Sequence, residues 1–174
     1  MSELAPKNVA AQAVTAYQGG DYATAARLFG EAAEFFLAAN QALDSAEMKN
    51  NQSVAFLQAK NARAAFESAR GTGNLFASAG DDRRAGLAFG NEASALLALG
   101  QSGAAAENFQ HAAQAFQRAG EDQLRAEVMQ AIAGIQLKQG KIMASLLSLQ
   151  IGLAGVRAPT LKQKILLFLL RFRA

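Results

Sequence analysis

Between positions 22 and 39 the apolar residues Ala25, Leu28, Phe29, Ala32, Phe35, Phe36 and Ala39 each have another of the set three or four positions away, the spacing of one face of an α-helix. The pattern returns every 40 residues. Phe29, Ala69, Phe109 and Leu149 form one column, Phe36, Phe76, Phe116 and Val156 another, and Tyr17, Leu57, Leu97 and Leu137 a third. Ala25, Ala65, Ala105 and Ser145 supply small residues in register. The punctuation keeps the same period, with Gly20, Lys60, Gly100 and Gly140 in one column and Asn40, Gly80, Gly120 and Thr160 in the other. A fixed period of this size marks stacked copies of one supersecondary unit.

Helices are predicted over 7–18, 22–39, 43–58, 61–79, 82–98, 102–119, 122–138 and 141–157. They group into four pairs, 7–40, 41–80, 81–120 and 121–158. Long helices joined by a few residues must run antiparallel to their neighbours. A single pair cannot bury its apolar face alone, so successive pairs stack and share a core. The Phe36/Phe76/Phe116/Val156 column is expected at the contacts between pairs. Asp21 is placed to cap the second helix, and Pro6 suits the first turn of the first. Pro159 ends the fourth pair, and Thr160-Leu161-Lys162-Gln163 reads as a capping box opening a last helix over 160–173. The expected fold is all-α, with one domain over 1–174: four antiparallel pairs and a C-terminal capping helix.

The stretch Tyr17-Gln18-Gly19-Gly20-Asp21-Tyr22-Ala23-Thr24-Ala25-Ala26-Arg27-Leu28-Phe29-Gly30-Glu31-Ala32 resembles the core of a tetratricopeptide repeat. Asn50-Asn51-Gln52-Ser53-Val54-Ala55-Phe56-Leu57 resembles the first helix of that repeat, and Leu99-Gly100 through Ala112 repeats its turn and second helix. The likeness covers 7–157 and matches the long-repeat variants of about 40 residues seen in kinesin light chains and bacterial peptide-sensing regulators, rather than the 34-residue form. It implies a right-handed superhelical array whose first helices line a concave groove. In peptide-binding members of this family an asparagine on that face bonds the ligand's main chain. The resemblance gives that place to Asn51 and Asn91. Glu47, Asn50, Glu92, Glu127 and Gln130 are expected nearby, making a polar, mildly acidic groove. The lysine and arginine set that holds a terminal carboxylate in some chaperone-binding members is absent.

Composition narrows the class. Half of the residues are hydrophobic and 18% charged, the balance of a folded chain. No cysteine occurs, so there is no disulfide framework, thiolate metal site or thiol nucleophile. The start MSELAPKNVA lacks the basic and apolar stretches of a secretory signal. The longest apolar run, Ile165 to Leu170, is far short of the ~20 residues that cross a bilayer. These features point to a cytoplasmic protein. Charge is uneven: residues 1–127 hold all 14 acids and 10 of the 17 basic residues, net −4, whereas 128–174 hold seven basic residues and no acid, net +7. Such asymmetry bears on partners rather than fold.

His111 is the only histidine and reads as a surface or groove-edge residue. Gly71-Thr72-Gly73 lacks the Gly-Lys-Ser/Thr of a phosphate loop and falls inside the helix over 61–79, where it suits close packing or a kink. Asp81-Asp82 and Glu121-Asp122 directly follow Gly80 and Gly120, where carboxylates cap helices and oppose the dipole. No convergent nucleophile, base and oxyanion donor is apparent, so no enzyme, cofactor or metal site is expected. The C-terminal helix is apolar on more than one face (Leu161, Ile165, Phe168, Leu169, Phe172) and basic at its end (Arg171, Arg173). It is read as a second interface, for a copy of the same chain first, then for a membrane surface, with nucleic acid last. The expected function is a protein- or peptide-binding scaffold. The alternatives are a sensor responding to a ligand or signal peptide, and a peripheral membrane adaptor.

Overall fold

The turns set the architecture. Seven residues spaced 20 apart (Gly20, Asn40, Lys60, Gly80, Gly100, Gly120 and Gly140) all have positive φ, between 58° and 81°. Each follows the end of a helix, where a left-handed residue lets the last carbonyls be met by the next N–H groups. The N–H of residue 21 donates to the carbonyl of Ala16, that of Gln41 to Phe36 and that of Asn61 to Phe56, and the later corners repeat the arrangement. Gly20 and its equivalents adopt this φ freely, whereas Asn40 and Lys60 adopt it with a side chain in place.

The computed structural model describes residues 4–157, 159–161 and 163–165. Among them are nine helices and no strand: α1 (Leu4–Gln18), α2 (Tyr22–Ala38), α3 (Ala42–Gln58), α4 (Ala62–Ala69), α5 (Thr72–Ser78), α6 (Asp82–Ala98), α7 (Ser102–Arg118), α8 (Asp122–Lys138) and α9 (Ile142–Leu153). Each packs chiefly on its neighbours in sequence, and α3 also meets α6 directly. The starts are capped as the sequence suggests at Asp21 and Asp81, whose side chains accept from the N–H groups of Thr24 and Arg84, and Asn61 does the same for Ala64. Thr160 and Gln163 form reciprocal capping bonds of 2.8 and 3.3 Å.

Three local expectations are corrected. The helix over 61–79 is two helices, because Arg70 is extended (ψ 121°) and Gly71 is left-handed (φ 79°). The Gly71 N–H, freed from the helix, donates to Glu92 at 3.2 Å. The helix over 141–157 stops at Leu153, where Ala154 turns extended, its carbonyl accepting from Arg125, and Gly155 has φ 96°. Glu121 makes no side-chain cap; its carboxylate instead takes Arg83 Nε at 2.7 Å.

The apolar columns are the core. Ala25, Ala65 and Ala105 have no exposed surface, and Phe36, Phe76 and Phe116 are buried, as are Phe29, Ala69 and Phe109. One buried cluster joins α1, α2 and α3 through Ala13, Ala26, Leu28, Phe29 and Ala55. A larger one runs from α3 to α8 through Phe76, Phe89, Phe109, Phe116 and Ile132. Each pair thus completes its core on the next, which removes apolar area from water at roughly 25 cal/mol per Å².

Candidate functional site

A chain of four cavities follows α1, α3, α6 and α8. The first, about 330 Å³, lies among Val14, Tyr17, Gln18, Phe29, Asn51 and Val54. The second, about 350 Å³, contains Glu47, Asn50, Asn51, Asn91, Arg84 and Phe76. A third, about 260 Å³, takes in Asn91, Ser94, Phe109, Phe116, Leu124 and Glu127. The fourth, about 200 Å³, joins Gln123, Glu127, Gln130, Leu153, Thr160 and Gln163. Successive cavities share walls: Asn51 and Val54 belong to the first two, Leu87 and Asn91 to the second and third, and Glu127 to the third and fourth.

Helical geometry explains which residues reach this surface. On α3 it is reached at 47, 50, 51 and 54, on α6 at 84, 87, 91 and 94, and on α8 at 124, 127 and 131. Steps of three and four keep these residues on one side of each helix. The columns repeat at 40, as Glu47/Leu87/Glu127, Asn51/Asn91/Ala131 and Val54/Ser94 show. Buried alanines of the same helices, such as Ala46, Ala55, Ala85, Ala93, Ala95 and Ala133, pack into the core.

Glu47, Asn50, Asn51 and Asn91 come together in the second cavity. Asn50 is buried and its Nδ2 donates to its own helix at Ala46 O (3.3 Å). Asn91 Nδ2 donates to Asn50 Oδ1 at 3.5 Å, joining α6 to α3. Asn50 and Asn91 thus use part of their hydrogen-bonding capacity within the fold. Asn51 is half-buried at the join of the first two cavities. Among the described residues its amide has no hydrogen-bond partner. Glu127 and Gln130 are exposed; Glu127 shares the third cavity with Asn91, whereas Gln130 lines only the fourth.

Glu92 does not line these cavities. One residue on from Asn91, it points ~100° around α6 toward the α4–α5 break and Gly71. Burial raises its pKa above the ordinary 4.5, partly opposed by the Gly71 N–H, Arg70 and His111.

Arg84 is the groove residue that sequence reasoning left out. Its guanidinium sits 4.9 Å from the Phe76 ring centre, close enough for a cation–π contact. Nε donates to Asp81 Oδ2 at 2.6 Å and Nη1 to Glu47 Oε2 at 3.1 Å. Asp81 and then Glu47 raise its pKa, while the Arg84 N–H and side chain hold Asp81 below its ordinary value. Arg83, also on this rim, pairs with Glu121. The signal for Arg84 was its spacing, seven residues before Asn91 with Leu87 between.

The remaining candidates fall elsewhere. His111 is exposed, with its ring 5.4 Å from that of Phe89. Leu161 and Ile165 are 74% and 53% exposed. Phe168, Leu169, Arg171, Phe172 and Arg173 lie outside the described residues. Among the described residues no helix is long and apolar enough to cross a membrane. No protein-family model matches the chain, and comparison with curated proteins finds no match.

Proposed function

We propose that the protein is a non-catalytic scaffold that takes an extended peptide or protein segment in the groove along α1, α3, α6 and α8. On this reading the chain is a tetratricopeptide-like, right-handed superhelical array of four helix pairs, and the groove is its concave face. The observation that carries the reading is the Asn51 amide, unsatisfied within the described residues and set where two cavities meet. An amide offers two donors and an acceptor, enough to pair with both polar groups of a peptide unit whatever the ligand's side chains. Val14, Tyr17, Phe29 and Val54 form an apolar seat to one side. Arg84 and Glu47 supply charge to the other. Main-chain bonds for affinity and flanking pockets for selection are the usual division of labour in peptide recognition.

Selection of a randomised, phage-displayed peptide library on the full chain tests this. Enriched peptides are expected to bind at least tenfold more weakly to Asn51→Ala/Asn91→Ala, as two lost amide bonds at ~1 kcal/mol each imply. Failure to enrich any peptide, or enriched peptides that bind the double variant unchanged, overturns it.

A further inference from the structure

α9 departs from a rule that α2, α4 and α7 keep. At the solvent-facing positions α2 carries Arg27 and Glu31, α4 carries Arg63 and Glu67, and α7 carries Glu107 and His111. Arg27 meets Glu31 at 2.5 Å and Arg63 meets Glu67 at 3.2 Å. Forty residues after Glu107 and His111 stand Leu147 and Ile151, 56% and 45% exposed. The end of the helix stack does not account for this exposure. α7 is packed by both α6 and α8, and it still leaves Glu107 and His111 in solvent. The column of Leu147 is otherwise charged (Arg27, Glu67, Glu107) and that of Ile151 holds Glu31 and His111, yet α9 has a large apolar residue at both places.

Positive charge brackets the stripe. Lys138 and Lys141 precede it, Arg157 follows it, and all three are exposed. No acidic residue occurs after Glu127. Leu137 and Ile142, at the α8–α9 corner, are 58% and 56% exposed. A second copy fits poorly. Two such stripes set face to face would bring their lysine and arginine borders together, like charge against like. An apolar stripe with a lysine and arginine border matches the boundary between anionic headgroups and acyl chains.

We propose that α9 docks the protein on an anionic lipid surface, with Leu147 and Ile151 entering the boundary layer and Lys138, Lys141 and Arg157 meeting the headgroups. The test is co-sedimentation of the full chain with phosphatidylcholine vesicles, with and without about 30% phosphatidylserine, at low salt and near ~0.5 M salt, where charge interactions are largely screened. The protein is expected to bind the phosphatidylserine vesicles at low salt and to be released by high salt. Leu147→Ser/Ile151→Ser should lower binding about tenfold or more. Lys138→Gln/Lys141→Gln should lower it about fivefold per lysine; this pair leaves the apolar stripe intact and keeps the test open if the first variant fails to fold. Equal binding to both kinds of vesicle, or binding that neither variant changes, overturns the proposal. So does a dimer, seen by light scattering, that Leu147→Ser/Ile151→Ser dissolves.

Discussion

Gly86 of α6 lies against the Phe116 ring of α7, so close that a Cβ on Gly86 would stand 2.6 Å from Cε1. Phe116 is 2% exposed and has little freedom to withdraw. A helix interior normally favours alanine over glycine by ~1 kcal/mol, but overpacking a core costs ~1–3 kcal/mol. Gly86→Ala is therefore expected to lose about 1–2 kcal/mol in urea unfolding. Gly134→Ala on α8, with nothing within 4 Å of its added methyl, is expected to gain up to ~1 kcal/mol. Equal gains for both would contradict the α6–α7 packing.

Ser53 breaks the alanine column formed with Ala13, Ala93 and Ala133, all buried. Its hydroxyl is fully buried and without a hydrogen-bond partner among the described residues. An unsatisfied buried polar group costs ~1–3 kcal/mol, and alanine fits this place elsewhere in the fold. Ser53→Ala should raise the unfolding free energy by about 1 kcal/mol. A loss measured by thermal or denaturant unfolding would mean that the hydroxyl has a partner the packing does not show.

Phe76 is 1% exposed and carries the Arg84 guanidinium over its ring. Its removal opens a cavity between the α5 and α6 region and the groove wall. Phe76→Ala is expected to cost ~3–5 kcal/mol, measured by chemical denaturation. A change under ~1 kcal/mol, well short of a buried aromatic's usual value, would count against the register of the Phe columns.

Glu92 gives the fold a pH dependence of definite sign. Burial raises its folded-state pKa above 4.5, so the folded chain holds this proton more tightly than the unfolded one. That contribution is complete below the unfolded value and is lost as pH rises through the folded one. Glutamine does not titrate, and its Oε1 can still accept from Gly71. The stability of Glu92→Gln relative to the parent should therefore improve between pH ~4 and ~7. Denaturation midpoints at the two pH values that differ by the same amount would contradict this assignment.

The 40-residue columns made most of the fold legible, because helix corners and buried faces depend on local spacing. The corners at Asn40 and Lys60 could be placed from register alone, although neither residue is glycine. The break at Arg70–Gly71 could not: the same register puts these residues opposite Gly30–Glu31 and Gln110–His111, which are helical, and the missing partner, Glu92, comes from another helix. The asparagines were readable as a pair, but the bond between Asn91 and Asn50 is tertiary and separates Asn91 from the freer Asn51. Arg84 was not legible because its contacts with Glu47 of α3 and the Phe76 ring are tertiary. The apolar excess of the C-terminal end drew attention to 161–173, whereas Leu147 and Ile151 already departed from their columns.

The groove reading is tested most directly by mapping amide shifts of the ¹⁵N-labelled full chain as a selected peptide is titrated in. The Asn51 and Asn91 side-chain NH₂ signals, with backbone signals of α3 and α6, are expected to move together and saturate at one peptide per chain. Shifts confined to α2, α7 or α9, with the two asparagine amides unmoved, would contradict it.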